Sequence, residues 1–207
     1  MVMKPSSKEW MRRHVSDSFV KQAQVQGYRS RAAYKLLEIA KRDRLIFPGA
    51  CVVDLGSAPG SWAQVITQLA GANAKVVALD LLDMAPLPGV TFIRGDFREA
   101  SVLAQVDAVL DGRSVDLVVS DMAPNISGIA AGDQARSLHL CELALEFSCK
   151  HLKTGGNFLV KAFQGSGFTE FQAAMRENFK TVTSRKPDAS RGRSTEMYLL
   201  GKGYAGP

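Results

Sequence analysis

Hydrophobic positions along this chain fall into two alternating rhythms. Continuous apolar runs in "ACVVDLG" (50–56), "AKVVALDLL" (74–82), "VTFIRGDF" (90–97), "VDLVVSDMAP" (115–124) and "GGNFLVKAF" (155–163) predict five buried strands. Between them, "SWAQVITQLAG" (61–71) and the segments 134–152 and 168–179 carry apolar residues at three-to-four spacing and predict helices. Residues 7–26 and 29–44 also read as helices, the second with Ala32, Leu36 and Ile39 on one face among basic residues. "FPG" at 47–49 ends that helical lead-in. The tail, "TVTSRKP" followed by "STEMYLLGKG", predicts two strands joined by a basic loop. Strands alternating with helices imply an α/β fold: a mostly parallel sheet with helices on both faces and one antiparallel edge strand from the closing hairpin. The expected organisation is one domain over 1–207, with a basic helical N-terminal extension at about 1–44.

Composition adds little until its distribution is read. The chain has 207 residues, 46% of them hydrophobic and 22% charged, as in ordinary globular domains. No apolar run approaches the ~18 residues of a transmembrane helix. "MVMKPSSKEWMRRH" lacks the apolar centre of a secretory signal, so a cytoplasmic setting with no membrane partner is expected. Cys51, Cys141 and Cys149 form no CxxC pair and no zinc-type cluster, so no metal is expected, and core packing accounts for the last two. The net charge of +6 is uneven: residues 1–44 hold 11 Lys and Arg against 4 acids, leaving −1 for the rest. A second basic cluster is "SRKPDASRGR" (184–193). Two basic patches flanking a neutral body favour a polyanion such as RNA.

"DLGSAPGSW" (54–62) leaves the first strand and enters a helix. Gly56 and Gly60 permit a tight turn and close approach of backbone to ligand. The spacing matches neither GxGxxG nor the GxxxxGK[ST] phosphate loop. Asp80 ends the second strand, where a carboxylate can accept from a ribose diol, and Asp96 ends the third, where one can meet an adenine amine. Phe97 is placed to pack on that adenine. A glycine turn with strand-end acids and no phosphate-binding lysine suits a nucleoside without phosphate, of which S-adenosylmethionine is the common case. Capping or solvation explains any one of these acids alone, and the ordered series is what carries the reading.

Four charged residues sit in apolar surroundings: Lys35 in "AAYKLLE", Asp121 in "VVSDMAP", Lys161 in "FLVKAF" and Glu196 in "STEMYLL". Asp121 and Lys161 belong to neighbouring strand ends, where open α/β sheets place their ligand crevice. "YRSRAAYKLLEI", "DLGSAPGSW", "SDMAPNISG", "LVKAF" and "SRGRSTEMYLLGKG" resemble, in order and from about residue 7 to 203, the FtsJ/RrmJ family of S-adenosylmethionine-dependent ribose 2′-O-methyltransferases. The closest likeness is to the bacterial branch that acts on a uridine of 23S ribosomal RNA. The resemblance implies a Rossmann-like methyltransferase sheet and a catalytic tetrad at Lys35, Asp121, Lys161 and Glu196. It also implies cofactor contacts at Gly60, Trp62, Asp80, Asp96 and Asp121, ribosomal RNA within the large subunit as partner, and rRNA processing as the setting. One departure is Gly60-Ser61, where the family often has Gly-Gly; serine suits a helix start.

Free lysine titrates near ~10.4, so a neutral Lys161 base near neutrality needs a shift of about 3 units, roughly 4 kcal/mol. Burial and Lys35 push that way while Asp121 and Glu196 oppose it, which leaves a neutral base and a charged orienting group both open. "SDMAPN" has no cysteine for cytosine C5 chemistry and no Asn/Asp-Pro-Pro-aromatic motif for amine methylation. The alternatives are a non-catalytic RNA-binding or ribosome-assembly module and a 2′-O-methyltransferase for another RNA, such as tRNA or a messenger cap. RNA contacts are expected from Arg29, Arg31, Lys35, Arg191 and Arg193, and neutralising Arg29 and Arg31 is expected to flatten the salt slope without affecting the cofactor. A monomer is the default.

Overall fold

The computed structural model describes residues 17–125, 127–190 and 194–206. Helices α1 (Ser18–Val25) and α2 (Ala32–Asp43) precede β1 (Cys51–Leu55), α3 (Ser61–Ala70), β2 (Lys75–Asp80) and β3 (Val90–Arg94). Then come α4 (Ala100–Leu110), β4 (Val115–Ser120), α5 (Ala130–His151), β5 (Leu152–Phe163), α6 (Phe168–Asn178), β6 (Phe179–Arg185) and β7 (Glu196–Tyr204). α4 lies outside the elements predicted above, and Arg191 and Arg193 lie outside the described residues.

The seven strands form one sheet in the order β3-β2-β1-β4-β5-β7-β6. β1 to β5 are parallel, and β7 runs antiparallel to both β5 and β6. The antiparallel strand therefore sits one place in from the rim, which β6 occupies. β1 and β4 are neighbours with their crossovers leaving in opposite directions, so a crevice opens at their carboxyl ends.

Side chains of a strand alternate between faces, and both faces here are covered by helices. Val53, Val77, Val118, Phe158, Val160 and Leu199 pack with α4, α5 and α6. Val52, Val76, Leu117, Val119, Leu159 and Leu200 pack with α2 and α3. This alternation fixes Lys161: two residues beyond Leu159, it belongs to the α2 face. Its register partner on β7 is Tyr198, on that same face. Ser120 pairs with Val160, which brings Asp121 alongside Lys161.

Candidate active site

Two ion pairs meet at the carboxyl ends of β4 and β5. Lys161 Nζ donates to the Asp121 carbonyl at 2.6 Å and stands 3.1 Å from Asp121 Oδ1. Lys35, on the second turn of α2, places Nζ 2.7 Å from Glu196 Oε1 at the start of β7. Both ammonium groups are buried, Lys35 at 9% and Lys161 at 8% exposure, so the carboxylates offset a real desolvation cost. Tyr198 joins the pairs. Its hydroxyl donates to Asp121 Oδ1 at 2.7 Å, and Lys35 Nζ lies 5.5 Å from its ring centroid. Burial, then the negative charges of Asp121 and Glu196, push the Tyr198 phenol well above its usual value, so it remains a donor. Ser190 donates to the same Glu196 Oε1 at 2.9 Å, giving that oxygen a second donor beside Lys35.

Beside this cluster, a cleft of about 320 Å³ opens over β1, β2 and β4. Gly56, Asp80, Asp96, Phe97 and Asp121 all line it. Gly56 has φ +75°, and a Cβ there would stand 2.4 Å from Met122 Cγ, so only glycine keeps this wall in place. Asp80 accepts the backbone N–H groups of Ala58 and Leu82, each at 2.8 Å, and so ties the glycine turn to the end of β2. Asp96 is engaged by Arg98, whose Nε donates at 2.9 Å; that hydrogen bond holds its carboxyl below the ordinary carboxylate range. Asp54, on β1 two residues before Gly56, is fully buried and its carboxyl oxygens make no well-formed hydrogen bond, although the Ala63 backbone N–H favours the ionised form. Burial first, then the Asp121 and Asp80 charges, raise the Asp54 carboxyl well above its usual value. The buried Ser57 hydroxyl is likewise unpartnered. Orphaned polar atoms behind a glycine turn fit a polar ligand whose groups would complete them.

The family model for FtsJ-like methyltransferases matches residues 28–204. The chain belongs to the FtsJ-like methyltransferase family. Among relatives, a protein of Neisseria meningitidis named ribosomal RNA large subunit methyltransferase E is 61% identical over 201 residues, 97% of this chain and 98% of that one. A protein of the same name from Chromobacterium violaceum is 61% identical over 203 residues, 98% of this chain and 99% of that one. A crystal structure of a putative ribosomal RNA methyltransferase from Plasmodium falciparum superposes with a TM-score of 0.77 at 31% identity, covering 87% of this chain and all of that one.

In this FtsJ-like methyltransferase the four residues expected as a tetrad are brought together, and five of the seven expected cofactor residues share the cleft. Gly60 and Trp62 are not among the cleft residues. Trp62 is buried beneath α2, where Nε1 donates to the Ala32 carbonyl at 2.9 Å and its ring lies 5.7 Å from that of Tyr198. Gly60 packs against Arg29 and Met84, and a Cβ on it would stand 2.6 Å from the Arg29 guanidinium.

The basic residues hold a larger surprise. Arg29 donates to the carbonyls of Pro59, Ala85 and Pro86 at 2.8–2.9 Å, bracing the glycine turn against the segment that follows β2. Arg31 pairs with Asp17 and donates to the Ala189 carbonyl. Neither guanidinium is simply a solvated cation. The three carbonyl bonds of Arg29 tie it to the glycine turn as well as to the basic surface. Tyr198 and Asp54 are functional candidates that the motif pattern contained without marking.

Proposed function

We propose that this methyltransferase moves the methyl group of S-adenosylmethionine to the ribose 2′-hydroxyl of a uridine in 23S ribosomal RNA of the large subunit, in the cytoplasm. The observation that carries the reading is the convergence of the Lys35–Glu196 and Lys161–Asp121 pairs on Tyr198, beside a cleft lined by strand-end acids. Its relatives' name, ribosomal RNA large subunit methyltransferase E, supports the choice of substrate.

Gly56, Asp80, Asp96 and Phe97 would hold the adenosine part, and Asp121 suits the cationic part of the molecule. When bound, S-adenosylmethionine supplies an electrophilic methyl group on a positively charged sulfur. A ribose hydroxyl is a poor nucleophile until its oxygen is oriented and its growing negative charge is stabilised. Lys161 is held for that task by two acceptors of Asp121. Those acceptors are served best by an ammonium, which favours the charged route: Lys161 orients the hydroxyl and stabilises the forming alkoxide. Lys35, fixed by Glu196, adds a second positive charge behind it. The hydroxyl proton would leave to solvent as the oxygen–carbon bond forms and the methyl carbon–sulfur bond breaks, the sulfur departing as a neutral thioether.

The test compares 2′-O-methylation of 23S ribosomal RNA from cells with and without this protein, then restores it with purified enzyme and labelled S-adenosylmethionine. One uridine should lose and regain its modification; an unchanged map would sink the proposal. Lys161→Arg separates the routes. An always-charged guanidinium should keep a measurable fraction of activity if Lys161 orients, and none if Lys161 must accept the proton.

A further inference from the structure

A second cavity, larger than the cleft, adjoins it at Ala123 and has no part in the chemistry above. It encloses about 650 Å³, within the ~300–1,000 Å³ typical of small-molecule sites. Three of the four tetrad-bearing segments run into its wall. Pro124 follows Asp121, Phe163 follows Lys161, and Thr195 immediately precedes Glu196. Leu138 and Gln134 of α5 close the far side.

The wall is chemically mixed in a particular way. Pro124, Leu138 and Phe163 offer apolar surface, while Gln134, Gln164 and Thr195 place polar groups at its edges. The Gln134 amide is fixed: Nε2 donates to the carbonyls of Phe163 and Ser166, each at 3.1 Å. Its Oε1 is left as an acceptor. Gly165 permits this closure, since a Cβ there would stand 2.9 Å from the Gln134 amide carbon. Flat apolar faces with a polar rim are what a nucleobase presents and requires. A smaller pocket is lined by Ser30, Arg31, Ala32, Lys35, Ser194 and Glu196, where two cations and two hydroxyls outnumber one carboxylate, a setting that suits phosphate.

We propose that this cavity takes the uracil of the accepted nucleotide, turned out of its stack, while the Ser30–Arg31–Lys35 pocket takes the adjoining phosphate. The inference rests on the ribose 2′-hydroxyl reading given above. The base leaves C1′, the atom next to the one bearing the 2′-hydroxyl. Phe163 lies two residues beyond Lys161 on the same face of β5 and Pro124 three beyond Asp121, so a base attached beside a hydroxyl at Lys161 is directed toward this wall. Gln134 Oε1 can accept from the N3–H of uracil, a donor that cytosine lacks.

The experiment uses the full chain and large subunits whose 23S RNA is ligated around a synthetic segment. The segment carries either uridine or an abasic ribose at the mapped position, and both keep the 2′-hydroxyl. Ala135→Trp and Gln164→Trp each place an indole into the cavity from an exposed position. Calorimetry with S-adenosylmethionine serves as the folding control, and affinity should stay within about threefold. For the native enzyme, kcat/KM should fall at least tenfold on the abasic RNA. Each Trp variant should lose a similar factor on uridine and little more on the abasic RNA, because base and indole compete for one space. Independent, multiplying losses would overturn the proposal, as would Trp variants that are silent on uridine; the latter would put the base in the Arg31 pocket. Absence of 2′-O-methylation with every RNA, including native subunits, would instead remove the underlying function.

Discussion

The two flanks of β4 meet the same crevice in opposite electrostatic states. On the β5–β7 flank, every tetrad side chain is bonded to another part of the chain: Lys161 to Asp121, Lys35 to Glu196, Tyr198 to Asp121 and Ser190 to Glu196. On the β1–β2 flank, the buried Asp54 carboxyl and Ser57 hydroxyl make no well-formed hydrogen bond, and Asp80 spends its oxygens on the turn that would cradle a ligand. The first flank is preorganised, its charges fixed before substrate arrives. The second keeps groups whose bonding is incomplete until something binds. Catalytic dipoles act best when they need not reorganise, whereas binding groups gain most when the free state leaves them unsatisfied.

The strongest challenge to this contrast is Lys161→Ala. Turnover should fall about 10³-fold or more, near 4 kcal/mol of barrier, because a preorganised charge is lost at the reacting oxygen. Affinity for S-adenosylmethionine should stay within a few-fold, as calorimetry would show, since Lys161 is not a cleft residue. A comparable loss of affinity would mean that the flanks are not separable. Next in size is Arg29→Ala, which removes three bonds to carbonyls around the glycine turn. At ~1.5–3 kcal/mol for a hydrogen bond to a charged group, a loss of ten- to a hundredfold in cofactor affinity is expected. The salt slope of RNA binding should hold; a flatter slope with unchanged cofactor affinity would restore Arg29 as a phosphate contact.

The paired flank can also be tested away from the chemistry. Asp43, at the end of α2, accepts from Arg185 Nε and Nη2, both at 2.7 Å, and the Arg185 hydrogen bond chiefly holds its carboxyl below the usual value. A depressed carboxyl contributes stability above its unfolded pKa and loses it as pH falls through the folded value. Asp43→Asn should therefore cost about 2 kcal/mol near neutrality, with the difference from the native protein vanishing in acid below pH ~4. Urea melts at several pH values would show it, and a pH-independent difference would exclude the ion pair as the cause. The smallest effect has the opposite sign. Asp54 is raised, so its burial opposes folding wherever the unfolded chain is ionised, and that opposition fades as pH falls toward ~4. Asp54→Asn should stabilise the ligand-free protein by about 1 kcal/mol near neutrality, a rise of ~2–4 °C in Tm, and weaken S-adenosylmethionine binding. A destabilised variant would show that Asp54 has a partner within the fold.

Much of this was legible beforehand because it rests on period and on contrast. The buried runs at 50–56 and 115–124 gave the central strands, and a cation amid Phe158, Leu159 and Val160 marked the site. The same contrast was present in Asp54, an acid in "CVVDL", yet the glycines beside it drew the reading to the turn. α4 was missed although Val102, Val106 and Leu110 recur every fourth residue, because Ala, Val and Leu fill the positions between and blur the polar face. Tyr198 could not be picked out within "EMYLL", since only the β5–β7 register shows that it faces Lys161. The bonds of Arg29 were hidden for a different reason: a charge count cannot tell a cation facing solvent from one that donates to backbone carbonyls.

β7 is hydrogen-bonded on both sides, to β5 and to β6, and carries Glu196 at its first position and Tyr198 at its third. It is also later in order of synthesis than every other strand. While residues 196–204 are still inside the ribosomal tunnel, β6 has no neighbour, Lys35 has no counter-charge and Asp121 lacks the phenol that orients it. The nascent chain can thus complete its glycine turn before it possesses a site for transfer. In the completed fold, the same strand that joins β6 to the sheet also brings Glu196 to Lys35 and the Tyr198 phenol to Asp121.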